Sequence, residues 1–472
     1  MVAYNYRPDR QIAEAARMPP APDYFAGGRR DLARARLALH PAIAFLSAYG
    51  VPPGVLARAE QIAAAQGVRP EQALLACGLM REDDYYNALA RHLGLAHADG
   101  DIRLGAAASY PASQMAGAAP LEHKAGEPHW LLAPEGRRLD ELLRLHRRGR
   151  LLRDSFAIAS PSQLSRLVFE QSGAEIAAKS ANGLSRLLGA RWSAATANPF
   201  MALVIAAPVL ALGLAWQAGG AVWTAVSLPV TAFLCAAIVL KLFAAAASCD
   251  AADEAAGVPD GRELPLYSII VAVYREANIA AQLIAALDAI DYPAAKLEIF
   301  IVTEQSDHDT RAAFADLDLP ARYRILAAPA GNPRTKPRAL NVALALARGE
   351  YICVFDAEDI PQPGQLREAA ALFAASPPRV ACLQGRLAID NHADGWLATM
   401  FAIDYAGLFD ATNPGLAALR MPVPLGGTSN HFRGGFARGG RLGRMECDRG
   451  YRSRHSPRAL WLRNWHAEIL HP

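Results

Sequence analysis

The stretch 266-LYSIIVAVYRE-276 decides the fold of this 472-residue chain. Its apolar run is continuous rather than alternating, which is typical of a parallel strand that is buried on both faces of a sheet. Downstream, the sequence predicts a helix over 277–290, strands within 297–310 and 323–327, a helix over 339–347 and a strand within 351–359. This alternation predicts a doubly wound α/β sheet, which binds ligands at the carboxyl ends of its strands.

Acidic residues stand at those strand ends. Glu276 follows the first strand, Glu304 follows the second, and the run DAED (356–359) follows a later one. One acid in such a place is usually a solvated cap, whereas acids at three strand ends indicate a functional cleft. Carboxylate oxygens match a hard cation such as Mg²⁺ or Mn²⁺, which would offset the charge of a diphosphate.

These segments resemble the family 2 glycosyltransferases, inverting enzymes that use nucleotide sugars and include the cellulose and hyaluronan synthases. VAVYRE (271–276) is similar to the family's V-P-V-Y-N-E, and VTEQSDHDT (302–310) to V-D-D-G-S-T-D-G-T. KPRALNVALALARGE (336–350) resembles K-x-x-A-L-N-x-A, and DAED resembles the D-A-D metal motif. GGTSNHFR (426–433) is similar to the acceptor segment, so the resemblance covers about residues 264–433.

The resemblance implies an A-type nucleotide-diphospho-sugar transferase fold and roles for single residues. The implied nucleotide-sugar site comprises Ala272, Tyr274, Glu276, Glu304, Lys336 and Asp356, with Glu304 contacting the nucleobase and Lys336 near the diphosphate. The implied acceptor side comprises Gln384, Gly385, Gly426, Gly427 and Thr428. The implied metal ligands are Asp356, Glu358 and Asp359. Because Glu358 replaces the second aspartate of D-A-D, either Glu358 or Asp359 could be the main ligand.

The resemblance stops near Arg433. Family members carry a T-E-D motif shortly afterwards, whose aspartate deprotonates the acceptor hydroxyl, and this chain has none. One choice of synonymous codons for Leu442 to Gly450, with that for Tyr451, gives W-D-A-W-N-V-T-E-D when read one base later, which resembles what the family carries here. We therefore expect residues 434–472 to be a frameshift product and the catalytic base to be missing. The competing interpretation is a basic arm for nucleic acid or anionic lipid.

Two regions precede the sheet. Residues 1–48 are predicted to be a flexible lead-in and 49–197 a docking domain. This domain resembles the N-terminal domain of type II secretion ATPases in EQALLACGLMREDDYYNALARHLGL (71–95), HWLLAP (129–134) and ASPSQLSRLVFEQ (159–171). Such domains dock protein partners, and some bind cyclic dinucleotides, although the nucleotide-binding signature around Arg69 is incomplete. The apolar runs 200–216 and 221–248 predict two transmembrane helices over 198–248.

Charge distribution places the soluble parts and limits the partners. Arg186 and Arg191 precede the apolar pair, Lys241 lies near its end and the turn is uncharged, so both soluble parts are expected to face the cytoplasm of a bacterial inner membrane. The tail from Gly434 has 8 arginines and 3 acids, a surplus of +5, which leaves +3 − 5 = −2 for the rest of the chain. A nucleic-acid-binding body is thereby excluded. Six scattered cysteines favour a reduced compartment.

The sequence therefore predicts a multi-pass membrane glycosyltransferase with an incomplete transferase domain over 262–433. It would move a sugar from a nucleotide-diphosphate donor, expected to be a UDP-sugar, to a polysaccharide or lipid-linked acceptor. The alternative is a non-catalytic membrane assembly factor that works through its N-terminal domain. A nucleotidyltransferase is a weaker option, because AVYREAN (272–278) is not a glycine- and arginine-rich pyrophosphate loop.

Overall fold

A computed structural model describes residues 39–98, 102–122, 128–188, 206–207, 209–210, 213, 220–248, 261–378, 380–419, 421 and 423–435. The predicted tail over 434–472 therefore lies outside the described residues except for its first two positions.

The N-terminal unit is a small sheet with a layer of helices. Its helices are α1 (Pro41–Ala44), α2 (Pro53–Gln66), α3 (Pro70–Ala76), α4 (Glu82–Leu93), α5 (Ala112–Ala116), α6 (Arg137–Arg147) and α7 (Pro161–Leu188). Its strands β1 (Ala96–His97), β2 (Ala118–Pro120), β3 (Trp130–Leu132) and β4 (Phe156–Ile158) pair in the order β1-β4-β3-β2, with β2 antiparallel to β3. Helix α4 shows why these residues form a helix with these ends. Three acids in its first turn interact favourably with the helix dipole, and Gly94, at φ 66°, provides the left-handed conformation that ends the helix.

The end of the predicted lead-in differs from expectation. Residues 1–38 lie outside the described part of the chain, but α1 and the 3₁₀ turn Phe45–Tyr49 are ordered elements of the unit. Ile43 and Leu46 are fully buried with the side chains of α4. Their apolar spacing is too short to distinguish a packed turn from a loop, so the prediction placed the boundary several residues late.

Helix α8 (Gly220–Ser248) follows the N-terminal unit. Within the described ranges, its segment Trp223–Ser248 is the one helix long and apolar enough to cross a membrane. Most of its described side chains are exposed to the surroundings. The other predicted span, 200–216, lies largely outside the described residues, so the two-helix prediction stays a prediction.

The C-terminal unit is built on a six-stranded sheet. Its strands are β5 (Tyr267–Val273), β6 (Leu297–Glu304), β7 (Tyr323–Ala328), β8 (Tyr351–Phe355), β9 (Cys382–Gln384) and β10 (Asn430–Arg433), in the order β7-β6-β5-β8-β10-β9. β5 to β8 are mutually parallel, and β10 runs antiparallel to both of its neighbours. The predicted α/β fold with a mainly parallel sheet is confirmed.

Six helices accompany this sheet: α9 (Ala280–Asp288), α10 (His308–Ala315), α11 (Lys336–Leu344), α12 (Gln365–Ala375), α13 (Trp396–Ala406) and α14 (Asn413–Ala418). Two boundaries differ from the prediction. The strand predicted within 297–310 ends at Glu304, because the Asp307 side chain caps α10. The helix predicted from residue 339 begins at Lys336, with a proline in its first turn.

The two faces of the sheet are covered differently. On one face, α9 and α12 supply Leu283, Leu366 and Phe373 to a buried cluster with the strands. On the other face, α11 is joined by helix α7 of the N-terminal unit, and Phe169 and Ile176 belong to the same buried cluster as the strand residues. The two units therefore share one hydrophobic core.

Candidate functional site

The loop after β5 is held by the start of helix α10. The backbone N–H of Arg275 donates to Asp307 Oδ2 at 2.5 Å, and the N–H of Glu276 donates to the Thr310 hydroxyl at 3.1 Å. Arg275 has φ 60°, a conformation that a non-glycine residue rarely adopts without such support. These contacts place Glu276 at the carboxyl edge of the sheet, while Tyr274 is exposed and its ring lies under the Arg275 guanidinium.

Asp307 has an unusual electrostatic position for a buried acid. Burial by itself would raise its pKa, but the N–H groups of Arg275 and Thr310 and the Thr310 hydroxyl lower it overall. Asp307 is therefore held ionised. The resemblance assigned this residue no role, and its N-cap position before α10 is the signal by which it could have been found.

Carboxylates gather at this edge of the sheet. Burial raises the pKa of Glu276, and the negative charges of Glu358, Asp356 and Asp307 raise it further. The ends of β5, β6 and β8 thus contribute acids to one electrostatic cluster. Such a cluster is energetically unfavourable by itself and is relieved by a cation.

Lys336 is the cation that the fold itself brings to the cluster. Its ammonium group pairs with the Asp356 carboxylate and also donates to the Gly427 carbonyl at 2.6 Å. Both side chains of the pair are about 30% exposed, so the pair lies at the mouth of the site rather than in the core. The pairing joins the start of α11, the end of β8 and the glycine segment before β10.

Asp359 serves the backbone around Asp356. Its Oδ2 accepts the N–H of Asp356 at 2.8 Å and the hydroxyl of Thr428, and the same N–H lies 2.9 Å from Thr428 Oγ1. Asp359 thus fixes the loop after β8, whereas Glu358 is exposed and makes no such contact. Which of Glu358 and Asp359 is the main metal ligand beside Asp356 therefore stays a prediction.

The protein side chains by themselves offer too few ligands for a divalent cation, so a cation here would also need ligands from the nucleotide-sugar donor. Among the residues that the structure describes, no three His, Cys, Asp or Glu side chains are arranged to hold a metal by themselves. Mg²⁺ in phosphate-transfer sites commonly uses one or two carboxylates and takes its other ligands from phosphates and water. Asp356 and Glu358 would fit that pattern, with the other ligands of the ion supplied by a bound diphosphate and water.

Glu304 lies in a different environment from the one expected of a nucleobase contact. Both of its oxygens accept hydrogen bonds from Arg338 Nη2 at 2.6 Å, and Arg338 Nη1 donates to the Pro329 carbonyl at 2.7 Å. The Arg338 side chain is fully buried and that of Glu304 is 7% exposed. Arg338 was missed by the sequence reasoning, although it stands two residues after Lys336 in the same motif.

The predicted acceptor side lies where β9 meets β10. Gln384 is buried, and within the described residues neither polar atom of its amide has a hydrogen-bond partner. A Cβ on Gly426 would lie 2.6 Å from Gln384 Nε2, and one on Gly385 would lie 2.7 Å from Gln365 Nε2. A larger residue at either position would have to displace one of these amides, so the two glycines allow the glutamine side chains their present positions.

His431 on β10 is a second buried group that the resemblance did not single out. Its Nδ1 lies 2.6 Å from the Tyr267 hydroxyl, and its Nε2 lies 3.2 Å from Gln365 Nε2. Burial lowers its pKa from 6.5 to about 3, so the ring is neutral. A neutral ring has one donor and one acceptor nitrogen, and each of the two lies against a polar partner. His431 therefore joins β10 to the core of the sheet.

The remaining predicted residue, Ala272, lies on β5 with its side chain partly buried against the core shared with the N-terminal unit. The structure thus brings together Glu276, Lys336, Asp356, Glu358 and the segment 426–428. Glu304 is instead held in a buried pair with Arg338.

The match to known proteins falls on the same region. Residues 265–413 match the family model described as "Glycosyltransferase like family 2". The chain is 33% identical over 129 residues to beta-monoglucosyldiacylglycerol synthase of Trichormus variabilis, a match that covers 27% of either chain. It is 31% identical over 127 residues to cellulose synthase 2 of Novacetimonas hansenii, covering 26% of this chain and 8% of that one. The aligned part thus spans about a quarter of the length of the first of these curated relatives.

Solved structures show weaker likeness over larger shares. A mannosyltransferase from Pyrobaculum calidifontis, in complex with GDP-Man and Mn²⁺, is 22% identical with a TM-score of 0.35, over 46% of this chain and 58% of that one. TarS 1-349 of S. aureus, in complex with UDP-GlcNAc, is 20% identical with a TM-score of 0.26, over 37% and 46%. It is the family match over residues 265–413 that confirms the resemblance to family 2 glycosyltransferases for that segment.

Proposed function

We propose that this protein is a membrane-attached glycosyltransferase that takes a sugar from a nucleotide-diphosphate donor, with UDP-sugars as the first candidates. The observation that carries the proposal is the acid cluster at the ends of β5, β6 and β8, faced by Lys336, inside the segment that matches the family. The acceptor we propose is a lipid-linked or polysaccharide hydroxyl on the side of Gln384 and Gly426.

The described side chains divide the work of donor binding. The Lys336 ammonium group can exchange its contact with Asp356 for a diphosphate oxygen, because both partners are partly exposed. Asp356 and Glu358 would then hold Mg²⁺ or Mn²⁺. When bound, such an ion offsets the charge of the diphosphate and stabilises the leaving nucleoside diphosphate. Asp359 and Thr428 keep the loop of Asp356 in place throughout.

Glu304 is proposed to act through Arg338 on the floor of the nucleobase site. Since both carboxylate oxygens already accept hydrogen bonds, Glu304 fixes the start of α11 and the loop before it. That arrangement holds Lys336 at the mouth of the site. A direct contact between Glu304 and the nucleobase, as the family resemblance implies, would add to this structural role.

Transfer to the acceptor needs a base that removes the proton of the attacking hydroxyl. We propose that the base belongs to the segment encoded one reading frame away from residues 434–472, and that the present chain binds donor but turns over little. A natural frameshift and a sequencing error would both give this amino-acid sequence. Resequencing the DNA across the codons for Arg433 to Pro472 shows whether the gene itself carries the shift or encodes the intact segment.

The N-terminal unit is proposed to be a protein-docking module. Arg69, the centre of the incomplete nucleotide-binding signature, is occupied by internal partners, since it donates to Asp140 Oδ1 at 2.7 Å and pairs with Glu71. A ligand at this position would have to displace two carboxylates. We therefore favour a protein partner over a cyclic dinucleotide.

The decisive experiment is titration of the full chain with UDP in the presence and absence of Mn²⁺. We expect metal-dependent binding that is weakened by Asp356→Asn and left unchanged by Asp318→Asn, an exposed carboxylate of the same unit. If neither UDP nor, in a parallel titration, GDP binds, and the N-terminal unit binds a tight ligand, the non-catalytic assembly factor is supported instead.

A further inference from the structure

Helix α7 of the N-terminal unit lies against the loop 329–335, which leads into helix α11. A Cβ on Gly173 of α7 would lie 3.4 Å from Pro329 Cβ, at ordinary van der Waals distance. A Cβ on Gly331 would lie 2.8 Å from Ala177 Cβ, well inside van der Waals contact. Gly173 and Ala177 are four residues apart and therefore share one face of α7. This face touches the loop at two points, and at the second there is no room for a further carbon atom.

The N-terminal unit also holds the body of α11. The Asn341 amide donates to the Ser180 carbonyl of α7 at 3.1 Å. The hydroxyl of Tyr110 donates to the Val342 carbonyl, and Lys179 of α7 donates in turn to the Tyr110 carbonyl at 3.3 Å. Helix α11 is therefore held through the loop at its start and by direct hydrogen bonds in its second half.

The loop is enclosed on its other side by Arg338. The Nη1 of this side chain donates to the Pro329 carbonyl at 2.7 Å, and a Cβ on Gly331 would lie 2.9 Å from the same nitrogen. Gly331 thus lies between α7 and a fully buried guanidinium group. Because Arg338 is itself anchored to Glu304 on β6, the loop cannot move away from α7 without disturbing this buried pair.

The position of Lys336 depends on this enclosed segment. Lys336 is the first residue of α11, and from there its ammonium group reaches Asp356 and the Gly427 carbonyl. The pair with Asp356 is partly exposed, and such a pair contributes too little to fix the backbone of the lysine. The start of α11 is fixed instead by the loop before it and by the contacts of α7.

We propose that α7 is a positioning element of the donor site, and that Ala177 sets the place from which Lys336 reaches the diphosphate of the nucleotide sugar. The inference rests on the proposed function, because it needs a diphosphate as the partner of Lys336. It also extends that function, since the N-terminal unit becomes a structural part of the transferase in addition to a docking module. Ala177 acts through the loop and makes no contact with the ligand.

The test is calorimetric titration of the full chain with UDP in the presence of Mn²⁺. Ala177→Leu places a larger, branched side chain against the loop, and overpacking of this kind shifts the neighbouring backbone. We expect the Kd for UDP to rise on the order of tenfold, at the lower end of the effect of losing a charge-assisted contact. Ala174→Leu, at an exposed position on the same helix, is the matched control and should leave the Kd unchanged.

A double-mutant cycle distinguishes positioning from a general loss of structure. If α7 acts through the lysine, Ala177→Leu should have no further effect on UDP affinity once Lys336→Met is present. A loss of equal size in both backgrounds would overturn the inference, because Ala177 would then act independently of Lys336. Hydrogen exchange in β6 reports whether each variant is folded, and the milder Ala177→Val replaces Ala177→Leu if the latter is not.

The inference and the proposed function fail in different ways. Absence of UDP binding by the unaltered chain would remove the proposed function, and this inference with it. Metal-dependent UDP binding that is weakened by Lys336→Met but left unchanged by the folded Ala177 variant would overturn this inference alone.

Discussion

Replacing Arg338 by methionine should destabilise the C-terminal unit more than any other single change at the site. The guanidinium is fully buried and its Nη2 supplies both hydrogen bonds of Glu304. Its removal leaves a buried carboxylate without a partner, which costs about 3–5 kcal/mol in comparable cases. That range corresponds to a roughly 10²- to 10⁴-fold change in an opening equilibrium, since about 1.4 kcal/mol is tenfold.

Native-state hydrogen exchange is the suitable assay, because a chain with two units and a membrane helix does not unfold in one step. The amides of β6 and α11 should lose protection by the stated factor. The double variant Arg338→Met with Glu304→Leu should recover most of it, because it removes both charges. Arg338 Nε has no hydrogen-bond partner among the described residues, so the native pair is itself imperfectly satisfied.

Arg367→Met provides the matched control. Arg367 also pairs with an aspartate, but Asp291 is 64% exposed, and such pairs contribute about 0.2–1 kcal/mol. Loss of protection below tenfold in Arg338→Met, or a double variant as unstable as the single one, would refute the assignment of Glu304 and Arg338 as a buried structural pair.

Three further outcomes are expected. Lys336→Met should weaken UDP binding by about 1.5–3 kcal/mol, because a charge-assisted contact to the diphosphate is lost. Calorimetry should show this as a roughly 10- to 150-fold rise in Kd. Unchanged affinity would exclude Lys336 from the donor site. His431, with its pKa lowered to about 3, should make the C-terminal unit lose stability as pH falls from 6.5 towards 3, by up to about 1.4 kcal/mol per pH unit, because only the unfolded chain takes up the proton. His431→Gln should flatten this part of the pH profile, and an unaltered slope would contradict the neutral buried ring. Shifting the reading frame after Arg433 so that T-E-D is encoded should produce sugar transfer from a labelled donor, and equal turnover by the present chain would contradict the missing base.

The fold was accessible to sequence reasoning because its central strands are buried on both faces. β6 has all eight residues buried around the apolar run 299–302, and such runs separated by helical patterns leave little choice but a parallel sheet. The acids at the strand ends were found for the same reason, since parallel strands bring their carboxyl ends to one edge. Arg338 and the pairing of Glu304 were not found, because a motif shows which residues are near the site but not which of them neutralise each other.

The position of α13 was also beyond the sequence. Its apolar residues show no periodic separation from polar ones that would mark it as a surface element, and a run of this composition reads equally well as a core helix. Only the exposure of its side chains in the structure shows that the helix lies outside the core. The end of β6 was placed a few residues late, because Asp307 caps the next helix. The start of α11 was placed a few residues late, because a proline in the first turn lets the helix begin at Lys336.

The core shared by the two soluble units has a consequence for the regulation of this protein and for the exchange of its domains during evolution. Helix α7 touches the segment that delivers the donor-site lysine: a Cβ on Gly331 would lie 2.8 Å from Ala177 Cβ, and the Asn341 amide donates to the Ser180 carbonyl at 3.1 Å. Should the proposed protein partner and the proposed nucleotide be coupled through this contact, each would have to alter the affinity for the other by the same factor. Gene fusion could not replace the N-terminal unit with an unrelated domain, because helix α7 covers one face of the six-stranded sheet. A replacement domain would have to provide the same packing against that face.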